Sequence, residues 1–535
     1  MSRSLSSYER KLLSEILENN KNGTVFGASY IFDDSVTADE HIWDDDNDTL
    51  AATRVESRST KKPALSLTLP LVTRALKSLI EKNPEMYTTV NDLLEFAPLK
   101  EIRTPDVISV VTFDNEKDEK VNCHSGGPPP YLIRHILKND VFQPGSNKPL
   151  WNLYLIDESQ LVFHCQDILF DIFSAANFHK LFLKELIAVC RPQQSYEKPL
   201  EYLFKLQKSF ENNYSVPKSI YDNLKLHLPA TRPELLNLQT QSFFKSIFCN
   251  AVKKPLDFIQ MPITSITNSS SNSDNSTTVI SQEGNQLKLF RTRYTNILTS
   301  ATSNCGHTIF GSVSNERFNY LNSVVKNEKI CLRSFIAAIT MLCLKPMVKS
   351  FNGTLIFSMP MNLRDSMNEK RDFGLVYKDI RVECPLSMID DKQCSVPGLN
   401  ESDPEYNEKL LEIQFQQIAT YVTESIEQRM STWKKYGYND NDMKRMKFTK
   451  YDEKFAPNTR LIKINDVSEV SFDDNDIRFP HIKSPGFTTS LSQNTLMSLS
   501  YTHCEEDGLN ICIHYPDGYN MENFVDCFES FMEEQ

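Results

Sequence analysis

The stretch LVFHCQDILFDIFSAANFHK, from Leu161 to Lys180, decides the fold. Its first three residues predict a short apolar strand, which is followed by a loop holding His164, Asp167 and Asp171 and then by a helix with an apolar start. A neutral imidazole near a carboxylate, at the end of a strand, is a typical arrangement for a general base. The stretch therefore predicts a mixed strand-and-helix fold with a candidate site in this loop.

Composition excludes several classes of function. The chain has 535 residues, of which 40% are apolar and 24% charged, and this balance is ordinary for a globular protein of two to four domains. The net charge of -12 argues against a nucleic-acid partner and disfavours electrostatic docking to anionic lipid. The 12 cysteines include no C-x-x-C pair and are expected to be reduced thiols of an intracellular protein.

We expect a cytoplasmic protein without a metal site. The start, MSRSLSSYERK, is polar and predicts no signal peptide, and the longest apolar run, 335–344, is too short to span a bilayer. The His and Cys residues that lie close together, at 305–307 and 503–504, lack further ligands at zinc spacing. The apolar stripes near both ends could contact lipid peripherally, but their acidic or mixed polar faces favour packing in the core.

The segment pattern predicts two α/β halves joined by a long crossover. We predict an N-terminal lobe over 1–215, a crossover linker over 216–290 and a C-terminal lobe over 291–535. Within them, residues 33–62 form a predicted acidic insertion, and the Ser/Asn-rich segment 264–278 is predicted to be disordered.

Four segments, taken in order, resemble a known family. They are PLWNLYLIDESQLVFHCQ (149–166), SFIAAITMLC (334–343), MPMNLRDSMNEKRDFG (359–374) and LMSLSYTHCEEDGLNICIHYPDGYNMENFVDCF (496–528). Together they resemble the acyl-CoA-dependent acyltransferases, the superfamily of chloramphenicol acetyltransferase and condensation domains, and most closely its fungal alcohol acetyltransferase branch. D-F-G also marks kinases, but no Gly-rich loop or H-R-D accompanies it here, so a kinase is excluded.

The resemblance implies an α/β fold of two chloramphenicol-acetyltransferase-like lobes, each a mixed sheet with helices, with a tunnel between them. It implies direct acyl transfer, with a histidine as general base, to an apolar alcohol or amine acceptor. Acetyl-CoA or another acyl-CoA would be the co-substrate, and no bound cofactor is expected. No serine or cysteine nucleophile is needed, because the acyl group passes directly to the acceptor.

The catalytic motif of such enzymes, H-x-x-x-D, matches this chain imperfectly. Asp171 falls on the motif's aspartate if the following helix is aligned, and the residue four positions earlier is then Asp167 instead of histidine. If the strand is aligned, His164 falls at or beside the histidine position. Either a lengthened loop delivers His164 as the base, or Asp167 stands in its place, where a carboxylate could act only with a strongly raised pKa.

The resemblance also implies supporting residues and leaves alternatives open. Arg364 is the expected buried partner of Asp171, although a surface position is the ordinary one for an arginine. Asp372, Phe373 and Gly374 would shape a structural turn. The segment 462–472 stands where the family often reads S-N-x-G, and its Asn-Asp pair leaves the oxyanion donors unassigned. The alternatives are an inactive relative that binds a ligand or protein, and a scaffold whose acidic segment 33–48 recruits protein partners.

Overall fold

The computed structural model of the chain describes most of both predicted lobes. The described residues are 2–19, 23–32, 66–112, 128–190, 198–206, 216–217, 306–348, 351–366, 371–436, 461–472, 480–491, 495–505, 507–517, 519 and 521–533. The predicted acidic insertion, 33–62, and the Ser/Asn-rich segment, 264–278, lie outside the described residues.

Strands and helices alternate along both halves. The strands are β1 Arg3–Ser4, β2 Thr24–Ile31, β3 Thr88–Val90, β4 Glu95–Pro98, β5 Glu101–Arg103, β6 Ile108–Val111, β7 Trp151–Ile156, β8 Gln160–Cys165, β9 Tyr202–Lys205, β10 His307–Val313, β11 Thr354–Asn362, β12 Tyr377–Pro385, β13 Leu461–Asp466, β14 His481–Thr489, β15 Thr495–Cys504 and β16 Gly508–Tyr515. The helices are α1 Ser7–Asn19, α2 Leu69–Lys82, α3 Thr104–Val107, α4 Pro130–Asn139, α5 Ile172–Cys190, α6 Asn315–Asn327, α7 Leu332–Leu344, α8 Tyr406–Tyr436 and α9 Glu522–Glu533.

The first lobe is built around a sheet with the strand order β14-β2-β8-β7-β6. Strand β8 lies in its middle and is antiparallel to both β2 and β7. Strand β14 comes from the predicted C-terminal lobe, yet it pairs with β2 from His481↔Ile31 to Thr489↔Thr24. The first sheet is therefore completed by a strand from the second half of the chain.

Helices cover one face of this sheet. The apolar helix α5 packs there, and its Phe178 ring stacks on Phe163 of β8 at a centroid distance of 4.0 Å. Because successive strand residues face opposite sides, Val162 points the other way, towards α4. That second cluster contains Val25, Leu132, Ile133, Ile136, Leu137, Tyr154, Ile156, Val162, Phe310 and Cys512. Since Phe310 and Cys512 belong to the second lobe, this face of the first sheet lies against the second lobe.

The second lobe contains a sheet with the order β10-β16-β15-β13-β11-β12. One face is apolar and packs with α7, α8 and α9 into one core. The expected mixed α/β architecture of two lobes is confirmed. Among the described helices, none alone is long and apolar enough to cross a membrane, and one sharply bent pair, Asn315–Asn327 with Leu332–Met347, meets that test by length and composition only.

A buried histidine ties α5 to the first sheet. The hydroxyl of Tyr30 lies 2.9 Å from Nδ1 of His179, and Nε2 of the same ring lies 3.2 Å from the carbonyl oxygen of Phe26. Burial lowers the pKa of His179 from 6.5 to about 3. The ring is therefore neutral at physiological pH, with Nε2–H donating to the carbonyl and Nδ1 accepting from the tyrosine.

We expect the free energy of unfolding to fall as the pH drops below 6.5, the ordinary pKa of histidine, towards the folded pKa of about 3. In this pH window His179 becomes protonated in the unfolded chain but stays neutral in the folded one. The free energy of unfolding therefore falls by up to about 1.4 kcal/mol per pH unit. His179→Gln should flatten this dependence in denaturant titrations between pH 7 and 4. His135→Gln, at an exposed position of α4, is the control, and an equal slope in the wild type and His179→Gln would refute the assignment.

Candidate functional site

His164 lies inside strand β8, so its predicted position in a loop is wrong. Its Cα is opposite Val25 of β2 and Asn152 of β7, and the pairing continues to Cys165 on both sides. The side chain is fully buried, and its ring lies 4.7 Å from the ring of Phe142. By strand alternation it shares the α4-facing side of the sheet with Val162. No lengthened loop carries His164, because the paired strands on both sides hold it in the sheet.

The loop between β8 and α5 holds Asp167 and Asp171 and is organised by Gln166. The carbonyl oxygen of Gln166 accepts from the backbone N–H groups of residues 169 and 170, at 3.2 and 3.1 Å, and its side-chain oxygen accepts from the N–H of Asp167 at 2.8 Å. Thr24 donates its hydroxyl to Asp167 at 3.1 Å. Asp167 therefore occupies the position four residues before Asp171 in a defined, partly buried geometry.

The predicted ion pair between Asp171 and Arg364 is present and joins the two lobes. The two groups are 2.8 Å apart, and their side chains are 1% and 10% exposed. Asp171 also accepts from the N–H and hydroxyl of Ser174, at 2.7 and 2.8 Å, and from the N–H of Val376 at 2.8 Å. The contact with the N–H of Ser174 is that of an N-cap residue, so one carboxylate both starts α5 and binds the second lobe.

The turn Asp372–Gly374 contacts this ion pair directly. The carbonyl oxygen of Asp372 accepts from Nε of Arg364 at 3.3 Å and from Asn177 at 2.9 Å. The N–H of Gly374 donates to the Ser174 hydroxyl at 3.1 Å, and Phe373 meets Phe170 edge-on at 5.9 Å. Gly374 has φ +120°, a conformation that favours glycine. The turn therefore links the segment after β11, which contains Arg364, to α5.

Two tyrosines lie where the lobes meet, within reach of the charge of Asp167. The hydroxyl of Tyr8, on α1, is 3.3 Å from that of Tyr377, at the start of β12. Burial, together with the charges of Asp379 and Asp167, raises the pKa of Tyr8 to about 12. The neighbouring Tyr8, burial and the same two carboxylates raise the pKa of Tyr377 well above its usual value. Both phenols therefore stay protonated at neutral pH.

The sequence interpretation missed a further ion pair that joins the lobes. Arg134 of α4 donates to both carboxylate oxygens of Asp517, at 2.8 and 2.9 Å, and Nε2 of His307 lies 3.4 Å from the same carboxylate. The only signal for this pair is a lone arginine in an amphipathic helix, which does not specify its partner.

In the part of the chain that the structure describes, no group of three or more His, Cys, Asp or Glu residues is arranged to hold a metal ion.

Comparison with known proteins agrees with the fold and with the predicted resemblance. The model of the alcohol acetyltransferase family matches residues 131–434, more than half of the chain. PSTB2-interacting protein 1 of Saccharomyces cerevisiae is 48% identical over 540 residues, which cover 99% of each chain.

Solved structures share the fold at low sequence identity. The trichothecene 15-O-acetyltransferase of Fusarium sporotrichioides has a TM-score of 0.57 and 12% identity, and the match covers 99% of this chain and 94% of that one. The first condensation domain of the calcium-dependent antibiotic synthetase has a TM-score of 0.52 and 10% identity, with 100% and 97% covered.

Removing one side of the buried ion pair should destabilise the chain strongly. We expect Arg364→Ala to lower the free energy of unfolding by about 3–5 kcal/mol, because Asp171 would remain buried without its cation. Arg381→Ala is the matched control, since Arg381 is 45% exposed and pairs with Asp379 at the surface. Denaturant titration measures both losses, and similar small losses in the two variants would contradict a structural role for the pair.

Proposed function

We propose that this chain, which belongs to the alcohol acetyltransferase family, binds an acyl-bearing ligand between its lobes without the histidine-dependent transfer of that family. Membership of the family supports acyltransferase activity as the chemistry of the fold. One observation carries the narrower proposal. The residue four positions before Asp171 is Asp167, while His164 is held within β8 against Phe142.

The chemistry of the base explains why this observation decides the proposal. The general base must accept the acceptor's proton as the thioester is attacked, and this needs a pKa near the working pH. An imidazole meets this condition without perturbation, whereas a carboxylate normally has a pKa near 4. The position that the motif reserves for the base holds a carboxylate that already accepts a hydrogen bond from Thr24.

Retention of the ion pair favours a second candidate, acyl transfer with Asp167 as the base. Asp171, bound to Arg364 and Val376, anchors the end of the loop to the second lobe, and Asp167 lies four residues before this anchor. The phenols of Tyr8 and Tyr377 stay protonated and are close enough for the charge of Asp167 to raise their pKa values. This candidate requires burial to raise the pKa of Asp167 into the neutral range.

The two candidates differ in the release of CoA. With acetyl-CoA and a panel of apolar alcohols and amines, we expect the wild type, His164→Ala and Asp167→Asn to release free CoA at the protein-free rate. A thiol-reactive dye measures the release, and calorimetry with octanoyl-CoA tests binding in the same samples. Turnover lost only in Asp167→Asn would establish the second candidate, and turnover lost in His164→Ala would make His164 the base. Absence of octanoyl-CoA binding would overturn the proposed binding role.

We also propose a protein partner for this chain. The yeast relative is named for its interaction with PSTB2, and the two chains are 48% identical along 99% of their lengths. We therefore expect this chain to bind a protein of the same kind as PSTB2. Its acidic segment 33–48 has the charge to attract a basic surface.

Deleting residues 33–48 tests whether the acidic segment makes this contact. We expect the full chain to bind purified PSTB2 in a salt-sensitive manner and the deletion variant to bind at least about tenfold more weakly, because attraction between unlike charges steers and stabilises such complexes. Replacing the same segment with a Gly/Ser linker of equal length controls for chain length. Unchanged affinity in both variants would place the contact elsewhere, and no binding by the full chain would refute the partner.

A further inference from the structure

A row of polar side chains crosses the second sheet on the face opposite its helices. Each member lies beside the next in the strand register: Ser358 (β11), Lys463 (β13), Ser498 (β15), His514 (β16) and Thr308 (β10). We refer to these five residues as the polar row. Their neighbours along each strand, such as Phe357, Ile462, Leu499 and Ile513, point into the helix-covered core. Five of the six strands therefore contribute one polar residue each to the same line, and Arg381 of β12 lies opposite Ser358 at its end.

The polar row is covered by the first lobe. Strand β14, which completes the first sheet, approaches it closely, and the hydroxyls of Thr489 and Ser498 are 3.5 Å apart. Just beyond the strand, Ser490 accepts from Nζ of Lys463 through its carbonyl oxygen at 3.3 Å, and its N–H donates to the carbonyl of Gly23 at 2.8 Å. Gly23 is adjacent to Thr24, the partner of Asp167. This covered region is therefore connected to the loop of the candidate site.

Two buried polar atoms in this region have no hydrogen-bond partner among the described residues. They are Nε2 of His514 and Oγ of Ser490, whose residues are 1% and 6% exposed. The other ring nitrogen of His514 lies 2.8 Å from the hydroxyl of Thr308, which fixes the ring plane. Buried polar groups normally find partners, because leaving them unpaired costs free energy. Two such atoms on neighbouring elements indicate a site that a ligand atom completes.

The charge of the region selects the class of ligand. Lys463 lies one strand from Ser498 and two from His514, and its cation is among the charges that lower the pKa of His514. Burial contributes most to lowering this pKa to about 3, so the ring is neutral and acts through hydrogen bonding alone. At the edge of the sheet, Asp379 accepts hydrogen bonds from Ser358 and from Arg381. The cation of Arg381 offsets the negative charge of Asp379.

We infer that Lys463, Ser490, Ser498 and His514 form a polar recess that binds the oxyanion group of a chain-bearing ligand, a carboxylate or a phosphate monoester. Lys463 supplies the opposite charge, and the Ser490 hydroxyl donates a hydrogen bond to the anion's oxygens. The His514 ring donates a second one through Nε2–H, in the tautomer whose Nδ1 accepts from the Thr308 hydroxyl. The apolar residues Phe310 and Cys512 of the adjoining cluster contact the hydrocarbon part. This inference rests on the proposed function, because both place the ligand between the lobes.

Calorimetric titration of the full chain with octyl phosphate, octanoate and 1-octanol tests the recess. We expect at least one anion to bind about tenfold or more tightly than the alcohol, and Lys463→Met to remove that preference. Ser490→Ala, which removes one hydroxyl without disturbing the backbone contact to Gly23, should weaken binding of the anion about fivefold. Lys463→Arg should restore most of the preference. Lys180→Met is the matched control, because it removes an exposed cation of α5, on the other face of the first sheet.

The outcomes separate the inference from the proposed function. Octyl phosphate binding alone identifies a phosphate ligand, and octanoate binding alone identifies a carboxylate. Equal binding of all three compounds, or a preference that survives in Lys463→Met, overturns the oxyanion recess while a ligand site between the lobes stands. Absence of binding by all three compounds, together with absence of octanoyl-CoA binding, overturns both. Circular dichroism of each variant establishes that it is folded before it is compared.

Discussion

The ion pair between Asp171 and Arg364 is the contact on which the arrangement of the two lobes depends. One carboxylate accepts from the guanidinium, from the start of α5 and from the N–H of Val376, so three separate segments meet at a single buried group. A buried pair contributes little over an apolar replacement of the same shape, but breaking it from one side is costly. The pair therefore acts mainly as a positional constraint. It holds the loop after β8 in place whatever residue stands at position 167.

Strand β14 adds a second constraint of a different kind. It is covalently part of the second half of the chain and hydrogen-bonded to β2 of the first sheet, so the lobes cannot separate without breaking a ladder of backbone bonds. The same strand covers the polar face of the second sheet, where Thr489 meets Ser498. A sheet face that would ordinarily be solvated is thereby enclosed. The space between the sheets therefore contains the polar row beside an apolar cluster with Phe310 and Cys512, whereas the helix-covered faces are apolar.

Periodicity and resemblance were sufficient to predict much of this architecture. The apolar pattern over 68–83 predicts the helix observed at Leu69–Lys82, and the pattern from Leu332 predicts a helix observed with the same start. The contact between Asp171 and Arg364 followed from a family resemblance. The position of His164 did not, because the length of β8 depends on its pairing with β2 and β7, segments that are distant in sequence. A residue's place in a ladder is decided by its neighbours in space.

The polar row also depends on strand pairing, which the sequence alone does not reveal. Ser358, Lys463 and His514 each interrupt an apolar strand singly, as in F-S-M, I-K-I and I-H-Y, and a single interruption has no meaning by itself. Only the register across five strands places them in one line. A sequence without strand pairing therefore conceals the feature that most distinguishes this face of the sheet.

The chemistry at position 167 and the chemistry of the polar row point in the same direction. Acyl transfer develops negative charge on the thioester oxygen, and it is favoured by donors and cations placed around that oxygen. At the position reserved for the base, this chain has the acidic residue Asp167 and not an imidazole, and two tyrosines that keep their protons lie within reach of its charge. An anionic group bound at Lys463, which is connected to this loop through Gly23 and Thr24, would instead lie beside a cation. Both features support the proposal that the chain holds a charged ligand between its lobes.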